Sequence, residues 1–174
     1  MNQKISQNGI DLIKHYESIN DGDLSKIGLQ PKPDCSGYMT IGYGRVLIKP
    51  QGGYVKTLAD VDKYFPQYGT ITIQQAEQYL AEDCNKFENN VNSLELTLTQ
   101  GQFDALVSFS FNVGFGALKG STLLKRIKQI VSTPSIEVCF GMWNKSAGVA
   151  YRGLTFRRQT EALLYNTGVL KFFN

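Results

Sequence analysis

Gly37-Tyr38-Met39-Thr40-Ile41-Gly42-Tyr43-Gly44 is the stretch from which the rest of this chain can be read. Tyr, Met, Thr and Ile in succession favour extended backbone, and Gly42 and Gly44 supply a turn. With Arg45, Val46, Leu47 and Ile48 following, residues 37–48 predict a small antiparallel sheet. No other segment reads as strand.

Upstream, Ser6 is a good N-cap, and Ile10, Ile13 and Tyr16 recur at helical spacing, so a first helix is expected over residues 6–18. Residues 19–37, rich in Gly, Asp, Pro and Ser, read as loop. Downstream, residues 58–64 predict a short helix. Thr72 with Gln75 and Thr99 with Gln102 are capping boxes. They open helices reaching about residue 91 and running through Phe103, Leu106, Val107 and Ser110. Gly114, Gly116 and Gly120 close the second. Further helices are expected over residues 121–131, from a Thr133-Pro134 start to about Trp143, and over 154–165 with Gly168 as a left-handed cap. The fold class is α+β. One domain is expected, with an N-terminal helix and β lobe over residues 1–71 and a helical lobe over 72–174. A cleft between lobes is the natural ligand site.

Hydrophobic residues make up 42% of the 174 and charged residues 19%, which specifies a folded core rather than disorder. No apolar run approaches the ~20 residues of a membrane span, so stable membrane insertion is not expected. The first residues mix Lys4, Asp11, Lys14 and Glu17 among apolar ones, unlike a secretory leader. A net charge of +3 suits an anionic partner but falls short of a dedicated nucleic-acid binder. Three scattered cysteines make neither a disulfide framework nor a zinc pattern. Cys84 and Cys139 keep step with apolar neighbours and read as core, while Cys35 reads as a passive loop thiol. With His15 as the single histidine, a His-rich metal site is excluded, and His15 reads as a surface residue. No metal and no cofactor are expected.

Carboxylates carry the chemical possibilities. Glu17 lies seven residues after Ile10 and four after Ile13, on or beside the buried face of the first helix. Burial there, at the negative end of the helix dipole, suits a carboxyl that holds its proton for general acid catalysis. The plain alternative is a solvated glutamate at a fraying helix end. Glycoside hydrolysis needs a second carboxylate. Asp21, Asp23 and Asp34 are available, and any of them can simply cap a turn. Asp34 differs in standing just before the strand segment.

Thr40-Ile41-Gly42-Tyr43-Gly44 resembles the signature of the phage-type lysozymes, glycoside hydrolase family 24. The resemblance continues through Gln102-Phe103-Asp104-Ala105-Leu106-Val107-Ser108-Phe109, Phe111-Asn112-Val113-Gly114, Ser121-Thr122-Leu123-Leu124, Gly153-Leu154, Arg157-Arg158 and Glu161. It covers nearly the whole chain in order. It implies a lysozyme-like fold and a muramidase that hydrolyses the β-1,4 bond between N-acetylmuramic acid and N-acetylglucosamine. It also implies catalytic roles for Glu17, Asp34 and Thr40. Glu17 would protonate the leaving oxygen, Asp34 would stabilise the sugar cation and orient water, and Thr40 would position that water for inversion. Phe111, Asn112 and Ser121 match positions that face the sugar, although Phe111 reads equally well as core. One of Arg157 and Arg158 is implied to brace the cleft, against the plain reading of Arg157, Arg158 and Glu161 as surface ion pairs.

Two departures stand out. Sixteen residues separate Glu17 from Asp34, a longer gap than the family's, which makes Asp23 a rival for the aspartate role. Arg45 stands where the family often has histidine. The expected partners are peptidoglycan glycan strands, with no nucleic acid, and the chain is expected to act as a monomer. The family implies a phage or prophage endolysin made in the host cytoplasm and let through to the wall by a separate pore protein. The rival functions are a non-catalytic wall-binding module, a lytic transglycosylase and a helical nucleic-acid binder.

Overall fold

Two units emerge from the backbone contacts of the computed structural model, which describes residues 2–17, 29–34, 36–146 and 148–174. One comprises Met1–Tyr16 with Cys84–Asn174, the other Glu17–Asp83. The division therefore does not fall at 71/72, where the sequence pattern changes. The first helix, α1 (Gln7–Glu17), contributes Leu12 to the helical core. The start of α3 (Ile73–Asn92) instead stays with the sheet, because Ala76 packs against Gly42.

The sheet unit is built on β1 (Lys32–Pro33), β2 (Met39–Ile41) and β3 (Arg45–Val46), antiparallel and in that order. Lys32 pairs with Thr40 and Pro33 with Met39; Thr40 pairs with Val46 and Ile41 with Arg45. Pro33 lacks an N–H donor and is tolerated because β1 is an edge. Main-chain bonds extend the ladder: Leu47 N–H donates to Met39 O at 2.9 Å, Val55 to Leu47 O at 2.9 Å, and Met39 to Val55 O at 2.8 Å. Side chains then alternate in strand fashion. Met39, Ile41, Leu47 and Val55 are buried, whereas Val46, Ile48, Tyr54 and Lys56 are exposed. Gly42 has φ 61°, and a Cβ there would lie 3.1 Å from that of Ala76, so glycine serves both the turn and the approach of α3. The short helix α2 (Leu58–Tyr64) forms where the sequence predicts it, capped by Thr57, and a 3₁₀ turn follows at Pro66–Tyr68.

The helical unit centres on α4 (Gln100–Val113), buried at every position from Phe103 to Ser110. A helix enclosed on all sides is the pattern of a core element. It packs against α8 (Arg152–Thr167), with α5 (Phe115–Gly120), α6 (Thr122–Ile127) and α7 (Ile136–Gly141) around them. Phe103, Leu106, Phe109, Leu123, Phe140 and Leu164 form the centre of the core. Gly101 marks the closest approach of α4 and α8: a Cβ there would meet Gly168 Cα and Leu164 O, each at 2.8 Å. Both capping boxes form, at Thr72–Gln75 and Thr99–Gln102. Gly168, at φ 73°, closes α8.

Some boundaries depart from the sequence reading. The cap of α7 is Ser135, which accepts from Val138 N–H, so the helix starts after the Thr133-Pro134 pair and ends at Gly141. The expected helix over 121–131 stops at Ile127. The glycines at 114, 116 and 120 bracket a helix, α5, rather than merely ending α4. A hairpin of β4 (Lys145–Ser146) and β5 (Val149–Ala150) was not expected. Among the described residues no helix is long and apolar enough to cross a membrane. Cys84 and Cys139 are buried, as their spacing predicts.

Candidate active site

Glu17 is the last residue of α1 and is half-buried. The helix end is held one residue earlier: the Tyr16 and Thr160 hydroxyls share a hydrogen bond at 2.6 Å, and Tyr16 also donates to Phe173 O at 3.3 Å. Burial raises the Tyr16 pKa and keeps this phenol neutral. The carboxylate of Glu17 reaches the turn between β2 and β3. Its Oε2 would lie 3.7 Å from a Cβ at Gly44, so the carboxylate stands at van der Waals distance from that turn.

Asp34 follows β1 and closes the hairpin to β2. Its N–H donates to Tyr38 O at 2.8 Å, and its Oδ1 accepts from the N–H groups of Ser36 at 2.8 Å and Tyr38 at 2.9 Å. The turn-capping role foreseen for a loop aspartate is therefore real, and it occupies one carboxylate oxygen. Oδ2 carries no bond to the described residues. The register places Lys32 opposite Thr40, so Asp34, two residues on, shares the face of Thr40 as a diagonal neighbour. Thr40 is 6% exposed, and its hydroxyl donates to Lys32 O at 3.2 Å.

The structure thus brings Asp34 and Thr40 together on one hairpin face and sets Glu17 against the neighbouring turn of the same sheet unit. Asp21, Asp23 and Cys35 lie outside the described residues.

Arg45, the departure at the usual histidine position, bolts β3 to α3. Its Nε and Nη2 form a fork onto Asp83 at 3.0 and 2.8 Å, and Nη2 also donates to Glu82 at 3.0 Å and Tyr79 O at 2.8 Å. Burial opposes its charge, but the bonds to Asp83 and Glu82 outweigh burial and raise its pKa.

In the helical unit, Phe111 is half-buried and its ring tilts against Phe87 at 5.1 Å. Asn112 is exposed, and its Oδ1 accepts from Arg158 Nη2 at 3.0 Å. Ser121, expected to face the sugar, stands at the start of α6. It is 4% exposed and caps α6, its hydroxyl donating to Leu118 O at 2.7 Å and accepting from Leu124 N–H at 3.0 Å.

Arg157, Arg158 and Glu161 are not surface pairs. They are 2%, 1% and 0% exposed. Glu161 accepts from Ser108 Oγ at 2.8 Å, Arg157 Nε at 3.3 Å and Arg158 Nη2 at 3.0 Å, and its Oε2 lies 2.8 Å from Arg158 Nε. The Arg158 guanidinium also lies 5.0 Å from the Phe109 ring centroid. Of the two arginines, Arg158 is the one that bonds Asn112. His15 is exposed, as expected, and stacks on Phe172 at 4.0 Å. No cluster of His, Cys, Asp and Glu among the described residues is arranged to hold a metal.

A paired hairpin carboxylate and hydroxyl, near a glutamate that ends the first helix, invites comparison with known proteins. The family model for phage lysozyme matches residues 25–161. This chain belongs to the phage lysozyme family. Among relatives, the endolysin of Bacillus phage PZA is 37% identical over 169 residues, covering 97% of this chain and 57% of that protein. The chain thus spans little more than half the length of that relative, and 56% of the endolysin of Bacillus phage B103. Among solved structures, the endolysin from Escherichia coli O157:H7 phage FAHEc1 superposes with a TM-score of 0.74 at 33% identity, covering 98% of each chain. The muramidase domain of SpmX from Asticaccaulis excentricus gives 0.70 at 29% identity, over 95% of this chain and 99% of that one. The lysozyme-like fold expected from the resemblance is the fold of these phage lysozyme relatives.

Proposed function

We propose that this phage lysozyme homologue is a muramidase that cleaves the β-1,4 bond between N-acetylmuramic acid and N-acetylglucosamine in peptidoglycan. The observation that carries the reading is the hairpin. Asp34 is fixed through Oδ1 with Oδ2 left over, Thr40 stands on the same face, and Glu17 lies by the adjacent turn. Relatives named endolysin and muramidase support it.

In this reading Glu17 donates its proton to the glycosidic oxygen as the C–O bond breaks. Asp34 stabilises the positive charge that develops on the sugar ring. A water held by Thr40 Oγ1 and Asp34 attacks the anomeric carbon from the face opposite the leaving group and passes its proton to Asp34. The product is inverted, because a water stands where a retaining enzyme places its nucleophile. The half-buried Phe111 and the exposed Asn112 supply sugar contacts. The protein acts as a monomer, needs no cofactor, and reaches the wall after release through a separate pore. Its net charge of +3 favours approach to an anionic wall.

The test is digestion of purified peptidoglycan by wild type and Glu17→Gln, read by mass spectrometry and by NMR of fresh product. Wild type should release reducing muramic acid ends, first as the α-anomer. Glu17→Gln should remain folded and lose ~10²–10⁴-fold in rate. An anhydro sugar product would identify a lytic transglycosylase instead, and near-normal lysis by the variant would remove Glu17 from its role.

A further inference from the structure

Helix ends fray first, because their last carbonyls lack intrahelical partners. A general acid must stand within hydrogen-bond reach of the oxygen it protonates, so the last residue of a helix is a demanding place for one. Glu17 occupies that place in α1. The two residues before it are held by residues 169–174, the tail that follows α8.

Gly168 turns the chain at the end of α8, and Val169 N–H donates to Thr167 Oγ1 at 3.1 Å. Leu170 then packs on the helical core. Thr160 lies eight residues before Gly168, roughly 12 Å along the helix axis. The five residues from Val169 to Phe173 reach about 17 Å when extended, enough to return to that level. They do return. Phe173 O accepts from the Tyr16 hydroxyl at 3.3 Å, and the same hydroxyl meets Thr160 Oγ1 at 2.6 Å. A phenol carries one hydrogen. Tyr16 directs it at Phe173 O, so Thr160 is the donor in the shorter bond. The bonds therefore run from Thr160, fully buried in α8, through Tyr16 of α1 to the tail. Next to Phe173, the Phe172 ring stacks on His15 at 4.0 Å with planes at 18°, and meets Tyr16 edge-on at 6.3 Å. Phe173 also lines the groove between α7 and α8, beside Val138 and Ala162, so the tail is itself seated.

Two consecutive residues of α1 are thus gripped immediately before Glu17, one by ring stacking and one by hydrogen bonds. Leu12 and Ile13, both 0% exposed, already fix the middle of the helix. The tail acts one turn later, where fraying begins. We propose that Tyr16 and the tail residues Phe172 and Phe173 position Glu17 for catalysis, by fixing the last turn of α1 so that the carboxyl meets the glycosidic oxygen in one orientation. None of the three touches the sugar. They act through the backbone of α1, and a reacting group displaced by about 1 Å loses rate rather than affinity. The proposal rests on the muramidase reading for the role of Glu17.

The test is steady-state hydrolysis of purified peptidoglycan by full-length variants, with folding checked by circular dichroism. Tyr16→Phe keeps the ring and removes the hydroxyl. It should lower kcat by roughly 10-fold and leave KM within about 2-fold. Phe172→Ala, at the other grip, should show the same split. Phe172→Tyr keeps the stacked ring and should stay within about 2-fold of wild type. With Glu17→Gln in place, adding Tyr16→Phe should lower the residual rate no further, because the group being positioned is gone. Tyr16→Phe that melts earlier but turns over at the wild-type rate below its midpoint overturns the proposal. A Tyr16→Phe loss that persists in full on top of Glu17→Gln overturns it too, and both results leave the role of Glu17 standing. Near-normal lysis by Glu17→Gln alone would remove that role, and the proposal with it.

Discussion

Asp34 and Glu161 are both carboxylates held by several hydrogen bonds, yet the two regions use them differently. Glu161 is fully buried, and its bonds go to Ser108 on α4 and to two arginines on its own helix. Its hydrogen bonds all fall on Oε1, Oε2 lies 2.8 Å from Arg158 Nε as an ion pair, and it serves the α4–α8 interface. Asp34 is half-buried, and only Oδ1 is engaged by the hairpin it closes. What separates a structural carboxylate from a chemical one here is burial against two counter-charges in the one case and, among the described residues, partial exposure without them in the other. Charge alone does not distinguish them.

The sharpest way to break that comparison is Asp34→Asn. The amide oxygen can still accept from Ser36 and Tyr38, so the turn is kept while the charge is lost. Wall lysis should fall by at least ~10²-fold with thermal stability near that of wild type. Thr40→Val, which keeps the shape but has no acceptor for water, should also lose most activity. Asp21→Asn and Asp23→Asn should stay close to wild type. A fully active Asp34→Asn protein would make the hairpin carboxylate as structural as Glu161.

The opposite outcome is expected for Glu161→Gln. Removing the charge takes a buried counter-charge from Arg157 and Arg158, and breaking a buried pair in this way costs about 3–5 kcal/mol. Urea unfolding should register the loss as a lower midpoint with an unchanged slope. A cost below about 1 kcal/mol would place Glu161 among ordinary surface pairs and undo the contrast.

The smallest effect belongs to a surface pair. Lys49 Nζ lies 3.0 Å from Asp60 Oδ2, and this bond lowers the Asp60 pKa. A lowered folded-state pKa stabilises above the unfolded value and is lost as pH falls through the folded one. Asp60→Asn should therefore flatten a small part of the acid limb in a stability–pH profile and change little at neutral pH. A large change at pH 7 would contradict the surface reading.

How legible each region was in the sequence follows from the range of the forces involved. The capping boxes, α2 and the buried cysteines depend on residues three or four apart, and they were readable. The strands β1, β4 and β5 are two residues long, too short for any alternation to show. The two readings of the ion cluster stayed open because i,i+3 and i,i+4 pairs look the same on a surface helix as on a buried one. Only the path of α4 across α8, set by Ser108 and Asn112 some fifty residues away, decides which it is. Arg45 was visible as a departure, but its partners on α3 were not. In the candidate site, the spacing of Asp34 and Thr40 was enough to place both on one hairpin face. Ser121 has a second role that its sequence also carries: a serine before Thr-Leu-Leu is a helix cap, and here it caps α6.

The approach at Gly101 has a consequence for how such chains exchange segments. A methyl group there meets main-chain atoms of α8, which cannot rotate aside as a side chain can. The crossing therefore works as a keyed joint, fixing the roll of α8 as well as its distance. Glu161 and Leu164 lie a single helical turn apart, so that roll also sets Glu161 against Ser108 on α4. Recombination between homologues that swaps α4 without α8 would mismatch the key, and the two helices should be inherited as one block.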